Sequence, residues 1–180
     1  MGEQGCFRGQ RVELIEGEVI PMSPQGPSHY GTVDTCEKVL TAAFGHEYWV
    51  RMQGPLDLGE VSEPEPDVAV VEGSVKSHLG RHAAHPRHAV LVIEVSDTTL
   101  AFDRGKKGSS YASCSLLDYW IANLRDGVLE VYRNPIPDPS QPHGFRYARK
   151  TVFRPGEVIQ PLARPDLSIA ASRLLEGAGV

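Results

Sequence analysis

Two carboxylates in this sequence occupy positions where a charge is costly. Asp67 opens the run Asp67-Val-Ala-Val-Val71, directly after Pro66, and Glu94 lies near the end of Ala89-Val-Leu-Val-Ile-Glu-Val95. Continuous β-branched runs of this kind read as central strands buried on both faces. A carboxylate inside one must be paired, protonated or bound to a cation. Acids from two adjacent strands can meet at one end of a sheet and share a divalent ion, and an oxygen-only ligand set suits Mg2+ or Mn2+. A cation so held could polarise a phosphodiester and lower the pKa of a bound water. Strand periodicity puts Ser96 on the same face as Glu94. Asp103, Lys107 and Tyr111 then follow at i, i+4 and i+8, one stripe of a helix. Lys107 could reach back to the carboxylates, to orient water or to stabilise a developing charge. The alternative is a buried Glu94–Lys107 ion pair without chemistry, because structural pairs also bury charges.

Such residues need a scaffold to bring them together. Val12–Met22 reads as a hairpin turning at Glu16-Gly17. Ser28 has the chemistry of an N-cap, and Val33, Cys36, Leu40, Ala43 and Phe44 have helical spacing, so His29–Phe44 is expected to form an amphipathic helix. Glu47–Met52 and Gly54–Leu58 are predicted strands. Glu72–His88 reads as a polar loop holding four of the seven histidines. A helix is expected over Asp103–Cys114, strands over Leu117–Leu124 and Val128–Arg133, and a hairpin from Phe145–Phe153 and Glu157–Leu162. Ile169–Leu175 would be a last short helix. A mixed central sheet flanked by helices, α/β or α+β in class, follows from this order.

Composition narrows the function classes. A chain of 180 residues, 41% hydrophobic and 23% charged, has the balance and length of one globular domain, residues 1–180. No apolar run approaches the ~20 residues of a membrane span, and the first ten residues lack the apolar core of a signal peptide. Cys6, Cys36 and Cys114 are odd in number and form no CxxC, which argues against a disulfide framework or a structural zinc site and for a reducing cytoplasm. The net charge of −5 disfavours a nonspecific coat on nucleic acid, but it is uneven. Residues 1–75 carry 13 acids and 4 bases, whereas residues 76–124 carry 4 acids and 6 bases. A basic face beside an acidic pocket remains compatible with that asymmetry.

Other candidates have competing structural readings. His29 follows the expected helix start in line with Val33, Cys36 and Leu40. It is either a core or capping residue or a proton carrier at the site. Glu13 alternates with Leu14 and is either an exposed strand acid or a member of the site. His78, His82, His85 and His88 have no cysteine or acid among them, which favours a solvent-facing loop over a zinc site. Trp49, Tyr119 and Trp120 read as core rather than as base-stacking platforms. Arg146, Arg149, Lys150 and Arg154 suit either a phosphate-tracking edge or a charge-guarded edge strand.

Taken as an ordered set, ELIEG, His29 after Ser-Pro, EPEPDVAVV, LVIEVSDTTLAFDRGKKGSSYA, LLDYWIANL and LEVYR resemble the Uma-two family of the PD-(D/E)xK, restriction-endonuclease-like superfamily. The likeness runs from about Val12 to Leu175. It implies a metal-dependent nuclease fold, often dimeric, acting on nucleic acid, with DNA the expected substrate. By resemblance, Asp67 matches the aspartate after the proline and Glu94 the acid of the second half-motif, the two metal ligands. The superfamily lysine would stand at Ser96, and the resemblance moves that role to Lys107 on the following helix. Glu13 and His29 match two further recurrent positions, with Ser96, Asp103 and Tyr111 as supporting residues. The chain departs from the family pattern at Ser115 and Asp118, where a glycine and a glutamate are usual. Two other readings stand beside the nuclease: a catalytically inactive nucleic-acid- or protein-binding module that keeps the fold, and a structural or regulatory dimer.

Overall fold

The two apolar runs pair with each other in the middle of a six-stranded mixed sheet. The computed structural model describes residues 12–22, 25–59, 62–78 and 88–178. In chain order its elements are β1 (Val12–Ile15), β2 (Glu18–Pro21), α1 (Pro27–Phe44), β3 (Tyr48–Met52), β4 (Val68–Glu72), α2 (Val75–His78) and β5 (Ala89–Ser96). A helix, α3, follows in three consecutive segments: Leu100–Phe102 and Gly108–Ser113 are α-helical, and Asp103–Lys107 between them is π-helical. The chain continues through β6 (Asp118–Asn123), β7 (Val128–Pro137), β8 (Phe145–Phe153), β9 (Val158–Ile159), β10 (Ile169–Ala170) and α4 (Ala171–Leu175).

The main sheet has the order β3-β4-β5-β6-β7-β8. Within it β5 and β6 are parallel and joined by the α3 crossover, and every other neighbouring pair is antiparallel. Period two sorts the side chains of β5. Leu91, Ile93 and Val95 join Val68, Val70 and Trp120 beneath α1 and α4. Val92 joins Ala69, Tyr119 and Ile121 on the face covered by Leu100 and Tyr111 of α3. Glu94 and Ser96 share the parity of Val92 and so belong to the α3 face.

Local chemistry sets the element ends. Helix α1 starts at Pro27 with Gly26 as an extended N-cap, not with Ser28, because a proline at the first position presets φ and gives up only an N–H that has no partner there. It buries Thr32, Val33, Cys36, Leu40 and Phe44 and stops at Gly45, which takes a φ of 71°. The β1–β2 hairpin turns at Glu16-Gly17, with φ values of 50° and 77°, as a two-residue primed turn requires. Gly54–Leu58 is not a strand. Pro55 lacks a ladder donor, and the segment instead makes isolated bonds from the Leu56 N–H to the Pro64 carbonyl and from the Leu58 N–H to the Ser62 carbonyl.

The C-terminal half departs from the expected hairpin. β8 pairs along its length with β7, which runs past Arg133 to Pro137. Val158–Ile159 then finds a partner in Ile169–Ala170, so the last helix starts only at Ala171. The polar loop opens with the short helix α2, where His78 Nε2 lies 2.9 Å from the Glu72 carbonyl. His82 and His85 lie outside the described residues. Among the described residues no helix is long and apolar enough to cross a membrane.

One fully buried acid ties the sheet to the C-terminal segment. The Asp118 carboxylate accepts from Arg133 Nε (2.8 Å), Trp120 Nε1 (2.6 Å) and the Leu162 N–H (2.8 Å). Asp118→Ala would leave donors on three residues without their acceptor, one of them a cation. The expected loss is about 3 kcal/mol or more, seen as a lower urea midpoint at unchanged slope. A variant melting within error of the parent would refute that account.

Candidate active site

Five segments of the chain deliver charged or titratable side chains to one cavity of about 420 Å³. Asp67 stands one residue before β4, and Glu94 lies on the neighbouring β5. In the antiparallel register Val68 faces Ile93, which brings the Asp67 main chain level with Glu94. The Asp67 N–H donates to Glu94 Oε2 (3.4 Å), and the Val95 N–H donates to Asp67 Oδ2 (2.8 Å). Lys107 comes from α3, Glu13 from β1 and His29 from the first turns of α1.

Lys107 is the hub. Its Nζ lies 3.0 Å from Glu94 Oε1 and 3.2 Å from Glu13 Oε2, and it is only 5% exposed. The Tyr111 hydroxyl donates to Glu94 Oε1 at 2.7 Å, and the Glu65 N–H donates to Glu13 Oε2 at 3.3 Å. Asp103 Oδ2 accepts from the Ser96 hydroxyl and from Thr99 Oγ1 (2.6 Å). His29 Nε2 sits 3.2 Å from Asp67 Oδ2, and its Nδ1 is buried with no partner among the described residues.

The π-helical stretch of α3 makes this stripe possible. A π-turn inserts a residue into the helical ladder and re-aims the side chains around it. Here the Gly108 N–H reaches back to the Asp103 carbonyl, which also accepts the Tyr119 hydroxyl at 2.9 Å. A Cβ at Gly108 would come within 3.2 Å of that carbonyl, so glycine fits the tight crossing. Asp103 and Lys107, at the two ends of the turn, are both buried and both line the cavity.

The electrostatics are those of crowded acids around one cation. Burial holds the Glu94 carboxyl well above the usual carboxylate range; Lys107 opposes this, and Asp67, Asp103 and Glu13 add to it. Burial also raises Asp103. Burial alone would lower Lys107, but the facing carboxylates, Glu94 first, prevail and raise it. His29 likewise overcomes its burial through Asp67 and is raised. Burial pushes the Tyr111 phenol far up, so it remains a hydrogen-bond donor.

The eight residues singled out in the sequence therefore fall in one place. Glu13, His29, Asp67, Glu94, Asp103 and Lys107 line the cavity, with Ser96 and Tyr111 bonded to its acids. Sequence reasoning missed Thr99, whose partner Asp103 lies four residues on, a spacing that only becomes readable once the helix start is known. It also missed Ile20, Met22 and Phe102, apolar residues that line the cavity and have the sequence signature of ordinary core. Trp120 and Tyr119 are buried core, and Trp49 stacks under the Arg51 guanidinium at 4.7 Å.

The donor set can be tested against a divalent cation. Asp67 Oδ1 accepts no hydrogen bond among the described residues, and Glu94 Oε2 takes only the long bond from the Asp67 N–H. Among the described residues no group of three or more His, Cys, Asp or Glu side chains has metal-ligand spacing. Mg2+ is commonly held by only one or two carboxylates and keeps several waters. Two oxygen donors therefore fit Mg2+ or Mn2+.

A mixed sheet flanked by helices, with acids from adjacent strands beside a helix-borne lysine, defines a protein of the restriction-endonuclease-like fold class. Residues 3–172 match the Uma2 family, described as "Putative restriction endonuclease". The chain belongs to the Uma2 family. Its fold is similar to that of a crystal structure from Anabaena variabilis ATCC 29413, described as "a putative nuclease belonging to DUF820", with a TM-score of 0.63 and 18% identity over 94% of this chain and 92% of that one. No curated protein matches the chain.

The raised Glu94 carboxyl predicts the sign of a pH effect. A carboxyl raised by folding holds its proton more tightly in the folded chain than in the unfolded one. Its contribution is complete below the ordinary glutamate pKa and is lost as pH rises through the folded value. Without metal, the urea midpoint is expected to fall between pH 5 and pH 8 by more in the parent than in Glu94→Gln. Equal falls in the two proteins would mean that Glu94 ionises normally.

Proposed function

We propose that the chain is a Mg2+- or Mn2+-dependent endonuclease hydrolysing phosphodiester bonds in DNA, and that it acts as a homodimer in the cytoplasm. The observation that carries this reading is Lys107 held 3.0 Å from Glu94 in the cavity that Asp67 also lines. Asp67 and Glu94 would hold the cation. When bound, such a cation stabilises charge on the phosphoryl oxygens and makes a coordinated water more acidic. Attack by the water oxygen forms one P–O bond and breaks the bond to the leaving alcohol oxygen, which takes up a proton. Lys107 presents its ammonium to the charge that develops on the phosphate. His29, raised by its pair with Asp67, is the candidate proton carrier. Tyr111, Ser96 and Asp103 hold Glu94 and the start of α3 in place by the hydrogen bonds described above.

One observation favours a second reading. Both neighbours of Lys107 are carboxylates, and Glu94 Oε1 is already shared with Tyr111, which is how a purely structural buried network is built. On that reading the chain is an inactive binding module that keeps the fold. Metal titration and a cleavage assay separate the two.

Asp67→Asn is expected to keep the fold by circular dichroism, to lose the Mn2+ binding heat and to lose DNA cleavage. Lys107→Gln leaves Glu94 and Glu13 without their cation and is expected to lower the urea midpoint, while the folded protein retains Mn2+ binding and cleaves about 10²–10³-fold more slowly. Parent protein that gives no Mn2+ or Mg2+ heat at millimolar metal and cuts no nucleic acid would leave the binding module as the better reading.

A further inference from the structure

We propose that the cavity takes a single-stranded or locally frayed stretch of nucleic acid, with one nucleotide inside, and does not act on an intact duplex. This rests on the nuclease reading above and names its substrate class. Three observations support it.

The first is burial. Asp67 and Glu94 are 6% and 2% exposed and line a partly open cavity of about 420 Å³. That volume is near the low end of the ~300–1,000 Å³ occupied by small ligands, the scale of a mononucleotide. A duplex carries its phosphates on the outside of a far wider rod. A phosphodiester meets these buried carboxylates most readily when its strand is free to bend inward with its sugar and base, a freedom that a single strand or an extruded nucleotide has and a stacked duplex must give up energy to gain.

The second is charge. Five carboxylates line the cavity (Glu13, Asp67, Glu94, Asp97 and Asp103), against Lys107 and His29. Duplex binding draws its affinity from several Lys and Arg side chains that neutralise phosphates along the backbone. Four of the cations on α3 and β8 are paired with acids outside the cavity, and Arg149 of β8 is exposed. Arg104 and Lys150 pair with the buried Glu130, Lys106 with Glu18, and Arg146 with Asp138. A divalent ion at Asp67 and Glu94 offsets the local acidity for one phosphate, not for the train of phosphates on two strands.

The third is the wall. Ile20, Pro21 and Met22 of the β2 edge and Phe102 of α3 line the cavity with apolar surface. Phe102 is an aromatic face on which any base can stack once it is out of its own stack, and Ile20, Pro21 and Met22 add apolar surface beside it. The polar remainder, Gln25, Thr98 and Thr99, offers hydrogen bonds to a sugar or phosphate.

The test uses full-length protein and three labelled probes of one sequence: a single-stranded oligonucleotide, its blunt duplex, and that duplex with a single-stranded flap. Binding is read by anisotropy in Ca2+, and cleavage in Mn2+. The single strand and the flap are expected to bind and to be cut at least tenfold better than the blunt duplex. Phe102→Ala is expected to weaken single-strand binding about tenfold with the Mn2+ binding heat unchanged; Met22→Ala serves the same purpose if that variant fails to fold. A duplex cut as fast as the single strand overturns the inference and leaves the nuclease reading intact. Preferential single-strand binding without cleavage keeps the ligand class and removes the nuclease reading. Neither binding nor cleavage of any probe overturns both.

Discussion

The ammonium of Lys107 is the contact on which the rest of this architecture depends. It is buried between Glu94 of β5 and Glu13 of β1, and it projects from α3. A cation removed from water is tolerated only when its partners are held in place. The hairpin, the central strand and the crossover helix must therefore keep one relative position. The same constraint explains why Glu94 can lie in an otherwise apolar strand. The ammonium offsets part of the cost of its burial, and its second oxygen accepts the Asp67 N–H.

The geometry that satisfies Lys107 has a cost in helix regularity. The α3 crossover carries a π-helical stretch at Asp103–Lys107, whose Asp103 carbonyl accepts both the Gly108 N–H and the Tyr119 hydroxyl, with Gly108 fitting the close approach. Such turns recur at functional sites because they trade backbone regularity for side-chain direction. Here the trade sets both the lysine and an acid against the sheet end.

Much of the chemistry was legible in the sequence because it broke a rule. Asp67 and Glu94 stood out as acids in β-branched runs, and strand parity placed Ser96 beside Glu94. The hairpin turn at Glu16-Gly17 was equally readable, since only a few residue pairs adopt two positive φ angles. Gly54–Leu58 misled because its apolar residues alternate like a strand, while Pro55 removes the donor that pairing needs. The pairing of β8 with β7, and of β9 with β10, is a matter of long-range register that no local pattern encodes. Glu13 was ambiguous for the same reason. In sequence it is one acid of a hairpin, and only the docking of β1 on α3 shows that it faces a lysine. The π-turn has no sequence signature of its own, and Asp103, with the chemistry of a helix start, lies inside a helix that begins at Leu100.

The β1–β2 hairpin is not part of the main sheet. It meets the rest of the molecule through Glu13 on Lys107, Glu18 on Lys106, the bridge between Leu14 and Glu63, and Ser62 bonded to Glu16. One strand of the hairpin, β1, carries Glu13 and is pinned to the charged cluster through Lys107, while the other, β2, and the residue after it give the cavity Ile20, Pro21 and Met22. The same hairpin thus joins the ionic and the apolar sides of the cavity, so a change that shifts β2 also strains the Glu13–Lys107 contact, and shape and charge cannot drift apart independently.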